Sequence, residues 1–286
     1  MKQFVRFSVL IFLLSSCIKN NEDPAWIEVN SWTLQHNPNA LFPEGEMTHN
    51  FTDAWVYVNG KVIGVFEVPF KIPVLVHGNA TIRLYPTVRN NGISATKKIY
   101  PFVEYYEVNK DLQKNEVFTI NPTTRYQSSV NFWVEDFEDV TTKIENDVNS
   151  NVNFTLGHDA TILKWGNFYG QVNLTASDST WIAYTNDNMY LPKGKEVYLE
   201  IDYYNTNALI TGLIGISSTS IKNNQNIQLN AQNPASVKWK KIYIDLKELV
   251  SNLSTAEYYK QSFQAIIDSG DSEGFIMLDN IKVVHF

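Results

Sequence analysis

Cysteine is nearly missing from this chain: Cys17 is the only one in 286 residues, so no intrachain disulfide can form. Stability must come from packing, and a hydrophobic content of 44% is ample for that. Positive charge is also short, with 23 Lys and Arg against 30 Asp and Glu and a formal net charge of −7. No basic cluster reaches the footprint that a nucleic-acid backbone requires, so nucleic acid is not an expected partner. The five histidines, at 36, 49, 77, 158 and 285, include no i,i+2 or i,i+4 pair of the kind that builds a zinc site. Neither a Gly-x-Ser-x-Gly nucleophile turn nor a Gly-rich phosphate loop occurs. The expectation is a protein that is not an enzyme.

Long apolar runs are lacking too. The best is FSVLIFLL, residues 7–14, well short of the ~20 apolar residues of a transmembrane helix. With Lys2 and Arg6 around its start, it reads as an export signal over residues 1–16. Leu14-Ser15-Ser16-Cys17 then resembles the lipobox of bacterial lipoproteins. That resemblance implies cleavage before Cys17 and palmitate-like acyl chains on that residue. Each buried methylene adds about 0.8 kcal/mol, and two or three chains hold a protein durably where one does not. Residues 17–24 form the tether, and Lys19 with Glu22 and Asp23 resembles the surface-export signal of Bacteroidota outer-membrane lipoproteins. The expected location is the outer membrane, facing the cell surface, with the periplasmic face as the alternative.

The remainder predicts an all-β fold of two β-sandwich domains, at 25–120 and 130–286, joined by a linker at 121–129. Aromatics at 13% and frequent Asn, Gly and Pro punctuation favour strands and turns. In the first half, AWVYVNGKVIGVFEVP (54–69) reads as a hairpin turning at Asn59-Gly60. Val56, Val58, Asn59, Gly60, Lys61, Gly64 and Pro69 match the pattern of PEGA-type surface β-modules, which resemble Ig-like scaffolds and imply no catalysis. Four aromatics in seven residues, Tyr100, Phe102, Tyr105 and Tyr106, either line a groove or pack within the sheet and between the domains.

In the second half, strands are expected at 162–168, 170–176, 180–186, 195–205, 209–217, 237–246, 261–268 and 274–285. One short helix is expected within LKELVSNLSTAEYY. Phe137-Glu138, the stretch Trp239 to Leu246, and Leu278-Asp279-Asn280-Ile281 together resemble the jelly-roll sandwich of carbohydrate-binding and galactose-binding-like domains.

That resemblance points to a structural calcium where first and last strands meet, with Asp136, Glu138 and Asp279 as its ligands, since calcium takes carboxylate and carbonyl oxygens. It also points to sugar stacking by Trp165, Phe168, Tyr169, Trp181 and Tyr184, all near expected turns. The acidic run Glu135–Asp139 places Asp136 and Glu138 on one strand face, but lacks the spacing of glucanase carboxylates. The leading expectation is a non-enzymatic accessory subunit of an outer-membrane complex, partnered by a β-barrel or another lipoprotein. The alternative is a surface glycan-binding lipoprotein.

Overall fold

Alternation of apolar and polar residues sets the first layer. In the computed structural model, which describes residues 23–286, β1 (Ala25–Val29) buries Ala25, Ile27 and Val29 and leaves Trp26 and Glu28 half-exposed. It lies between β5 (Phe70–Val74), antiparallel, and β9 (Val117–Ile120), parallel. The facing sheet carries β3 (Asp53–Val58) between β4 (Lys61–Glu67) and β6 (Gly78–Arg89). Along the far edge of β6 run β8 (Tyr106–Leu112) and β7 (Lys97–Ile99), end to end. Asn59 and Gly60 have φ of 50° and 74°, so the expected hairpin turns where the sequence placed it. Between the sheets lie Ile27, Val56, Ile82, Leu84 and Leu112.

The expected linker is instead part of this unit. β10 (Thr123–Thr124) pairs in parallel with β2 (Thr33–Leu34), and Tyr126 is buried. Pairing satisfies backbone groups that a free linker would leave to water.

The second unit is a jelly-roll-like sandwich of two antiparallel sheets. One has the order β13 (Thr155–Gly157), β14 (Tyr169–Thr175), β21 (Glu273–His285), β16 (Val197–Asn205), β19 (Lys240–Asp245), with β11 (Asn131–Glu135) also on β21. The other runs β12 (Ile144–Asn146), β15 (Thr180–Thr185), β20 (Tyr258–Ile266), β17 (Leu209–Ile216), β18 (Ile221–Leu229). Trp181, Leu199, Ile201, Leu213, Phe263, Leu278 and Val283 fill the space between them. Residues 162–168 are turns rather than a strand, and α1 (Lys247–Asn252) is shorter than its expected segment. β18, IKNNQNIQL, was not anticipated: it is an edge strand with mostly polar side chains, so it lacks an apolar stripe.

β16, β19 and β21 are buried on both faces. Val197, Leu199 and Ile201 enter the sandwich core, while Tyr198, Glu200 and Asp202 point at the first unit and are equally hidden. There Tyr198, Tyr243 and Val284 pack with Tyr100, Phe102 and Tyr126 in a continuous apolar cluster. The Tyr100 ring lies 4.9 Å from that of Tyr243 and 5.5 Å from that of Tyr198. Of the two readings of the 100–106 aromatics, packing between the units therefore holds for Tyr100 and Phe102.

Charge lies within this interface as well. The fully buried Glu200 carboxylate accepts hydrogen bonds from the hydroxyls of Tyr100 (2.5 Å) and Tyr126 (2.9 Å) and pairs with Lys241 Nζ at 3.0 Å. Lys241 also donates to Thr48 (2.9 Å) and stands 3.5 Å from Asp202, to which the Thr48 hydroxyl donates. Lys282 Nζ reaches the Glu46 carbonyl at 2.6 Å. Burial alone would raise the Glu200 carboxyl, but Lys241, Lys282 and the Tyr100 hydroxyl outweigh it and hold it below the ordinary range. Burial pushes Lys282 down to about 8. Groups from both units meet here, so the two sandwiches are docked through a satisfied polar network within an aromatic surround.

Candidate binding cleft between the units

Beside this network the interface opens into a cleft of about 620 Å3. The first unit contributes Met47 to Asn50, Arg89 and Gly92; the second contributes Lys164, Trp165, Tyr203 and the start of β19. Trp239 is anchored by its Nε1–H, which donates to the Ile162 carbonyl at 2.7 Å. Trp165 meets it edge to face, with ring centroids 5.7 Å apart and planes at 69°. Trp239 is also flanked by Tyr204 and Tyr169 at 5.8 and 6.1 Å. A tryptophan supported in this way presents a fixed apolar surface without further ordering cost.

Cations rim the indoles. Lys164 Nζ sits 4.6 Å from the centre of the Trp165 ring, and Lys238 and Lys240 flank Trp239 in sequence with exposed side chains. Arg89 pairs with Glu67 at 3.3 Å through Nη2, while its Nε–H has no hydrogen-bond partner among the described residues. On the first unit's wall, burial lowers the His49 pKa, and its neutral ring stacks on Phe51 at 5.0 Å. Among the described residues lining the cleft, Asp202 is the single carboxylate; it is buried and engaged by Thr48 and Lys241. The chemistry on offer is stacking, hydrogen-bond donation and positive charge. A carboxyl pair for glycoside hydrolysis, about 5–5.5 Å apart in retaining enzymes, is not among the lining groups.

The aromatics expected to bind sugar are dispersed. Trp165 lines the cleft. Phe168 is exposed at a neighbouring turn, 6.3 Å from the His158 ring, while Tyr169 is buried behind Trp239. Trp181 is fully buried between the sheets, stacked with Phe154 and Phe263, and therefore unavailable to a ligand. Tyr184 stands on the outer face of the other sheet, its ring 5.1 Å from Lys260 Nζ. Strand parity explains the difference: Trp181, Ala183 and Thr185 point inward, so Ile182 and Tyr184 point out.

The three expected calcium ligands are near one another, Asp136 and Glu138 both helping to raise the Asp279 carboxyl, but each accepts a hydrogen bond from a neighbouring backbone N–H. The strand β11 ends at Glu135, and Phe137 has φ of 61°, so the alternation expected for Asp136 and Glu138 breaks. Glu138 accepts from the backbone N–H groups of Asn167 (2.6 Å) and Phe168 (3.0 Å), fixing the turn that carries Trp165. Asp136 Oδ1 is the acceptor for the Glu138 N–H at 3.4 Å. Burial pushes the Asp279 carboxyl up to about 8, so it is mostly protonated at neutral pH. No three His, Cys, Asp or Glu groups are placed to hold a metal ion among the described residues. Cys17 lies outside the described residues.

Trp239, Arg89, Lys164, Lys238 and Lys240 were not expected in a site. The local signal was KWKK at 238–241, three lysines around a tryptophan, read above only as part of a sandwich strand.

No protein-family model matches the chain, and no curated protein matches it. Similar solved structures include carbohydrate-binding modules and the enzymatically active domain of a bacteriophage CBA120 tailspike protein. The CBM22-2 xylan-binding domain of Paenibacillus barcinonensis Xyn10C is 14% identical, covering 54% of this chain and 99% of its own, with a TM-score of 0.38. A CBM28 module specific for non-crystalline cellulose is 14% identical, covering 51% and 91%, with a TM-score of 0.38. A CBM29 module is 12% identical over 55% and 91%, with a TM-score of 0.34.

Proposed function

We propose that this chain is a non-catalytic glycan-binding lipoprotein, anchored by acyl chains on Cys17 at the outer membrane and displayed to the cell exterior. The observation that carries the binding role is the supported Trp165–Trp239 pair at the mouth of an open cleft between two docked sandwiches. Its volume of about 620 Å3 falls within the ~300–1,000 Å3 usual for ligand sites. An indole face suits the C–H face of a pyranose, and the surrounding lysine, arginine and amide donors suit hydroxyls. The single engaged carboxylate supports binding without turnover.

Affinity electrophoresis and calorimetry against a polysaccharide panel test this reading. The intact protein should be retarded by at least one glycan. Trp165→Ala should abolish the shift while leaving the unfolding midpoint within a few degrees. Unchanged binding by that variant, or release of reducing ends from the glycan, would count against it. The anchor is tested separately by metabolic labelling with palmitate, which Cys17→Ser should eliminate.

A subunit role in an outer-membrane complex rests on the sequence resemblance alone. Purification from membranes in mild detergent separates the two: a stoichiometric barrel partner with no glycan binding would replace the present proposal.

A further inference from the structure

The cleft has a charge that the molecule as a whole does not. Formal net charge is −7, yet Lys164, Lys238 and Lys240 all reach this one depression, with Arg89 on the opposite wall. None of the three lysines pairs with a carboxylate among the described residues, whereas most cations at the interface do: Lys98 pairs with Glu196 and Asp245, and Lys241 with Glu200 and Asp202. Unpaired cations converging on one cleft repel each other, and an anion placed between them relieves that repulsion. Asp202, the only acid in the wall among the described residues, is hidden behind Thr48 and Lys241, so it does not oppose an incoming anion.

We infer that the cleft takes an acidic saccharide, a glycan bearing carboxylate or sulfate groups, with one ring on Trp165 and its anionic substituents on Lys164, Lys238, Lys240 and Arg89. This specifies the ligand class of the glycan-binding proposal and rests on it. Lys164 Nζ lies over the Trp165 ring, so an acidic saccharide at this indole would meet the ammonium as well. A single-stranded nucleic acid shares the charge, but it favours successive aromatic faces along a groove. Here the two indoles cross at 69°, offering one face and one edge.

The test uses the protein with paired probes: polygalacturonate against its methyl ester, dextran sulfate against dextran, and an oligothymidylate. The acidic member of at least one pair should bind ten-fold or more tightly than its neutral partner, and its affinity should fall as salt rises. Lys164→Gln with Lys240→Gln should weaken it at least ten-fold at an unchanged unfolding midpoint, while Lys195→Gln, away from the cleft, should change nothing. Equal binding of acidic and neutral members overturns the acidic class and leaves the glycan reading standing. Failure of every saccharide probe overturns both. Tighter binding of the oligothymidylate than of any saccharide overturns the saccharide assignment.

Discussion

Two adjacent residues on β19 separate the buried interface from the proposed binding cleft. Lys241 is buried, 3.0 Å from Glu200 and 3.5 Å from Asp202, and bonded to a threonine of the other unit. Lys240 is exposed, faces the cleft and pairs with no carboxylate among the described residues. The same side-chain chemistry serves docking in one place and, on the proposed reading, ligand attraction in the other. By strand alternation the two point to opposite faces: Lys241 lies on the face that the first unit covers, and Lys240 on the other, at the exposed start of the strand. Burial makes a charge expensive unless it is fully paired, and the buried lysine is. Exposure makes an unpaired charge cheap, and the open lysine stays available.

The largest expected effect follows from breaking the buried side. Lys241→Met strands Glu200 and Asp202 without their counter-ion and should cost about 3–5 kcal/mol, read as a loss in the denaturation midpoint. Lys240→Gln should stay within about 0.5 kcal/mol. Similar losses from both variants would erase the distinction between the regions. The tryptophans repeat the contrast at comparable size. Trp181→Ala empties a site between the sheets and should cost about 3–5 kcal/mol, with glycan binding reduced only as the fold is lost. Trp165→Ala should act on affinity far more than on stability.

The same contrast shows what the sequence could disclose. Strand alternation and turn residues made the all-β architecture legible, along with the Asn59-Gly60 hairpin and most strands of the second sandwich. Alternation does not tell which of two buried faces meets a core and which meets another domain. In β16, Val197, Leu199 and Ile201 read as the inward face, while the mixed Tyr198, Glu200 and Asp202 face gave no sign of complete burial. Trp181 and Trp165 are alike in the linear chain, each near a turn. Only the pairing of β15 with β20 fixes Trp181 inward. The cleft was hidden for a different reason: its cations come from positions 89, 164, 238 and 240, which meet only after docking. The segment 121–129 looked like a linker because its apolar content is low, yet Tyr126 alone ties it to Glu200.

A graded effect, spread over several pH units, should appear at Asp279. Asp279 has its folded pKa raised by burial to about 8 from 3.8. The folded state therefore holds a proton that the unfolded chain releases. This contribution to stability is fully present below about pH 4, declines as pH rises, and is gone above about pH 8, with a slope of at most about 1.4 kcal/mol per pH unit. Asp279→Asn removes the ionisable group while keeping the shape, so urea midpoints at pH 5 and pH 8 should differ less than in the parent. An unchanged pH dependence would mean that Asp279 does not titrate in this range.

The smallest effect belongs to the rim of the interface, where Lys98 of the first unit reaches Glu196 at 2.8 Å and Asp245 at 3.0 Å. These ion pairs cross between the units, whereas Lys241 pairs with Glu200 and Asp202 inside the second unit and crosses only through Thr48; the distances are similar. Their side chains are 35%, 26% and 19% exposed, against 3% or less for Lys241, Glu200 and Asp202. Water already solvates the rim charges, so Lys98→Gln should cost about 1 kcal/mol or less, and part of that should vanish in high salt. Lys241→Met should be insensitive to salt, because its partners lie beyond the reach of mobile ions. A rim variant as damaging as the buried one would mean that distance, rather than burial, sets the strength of this interface.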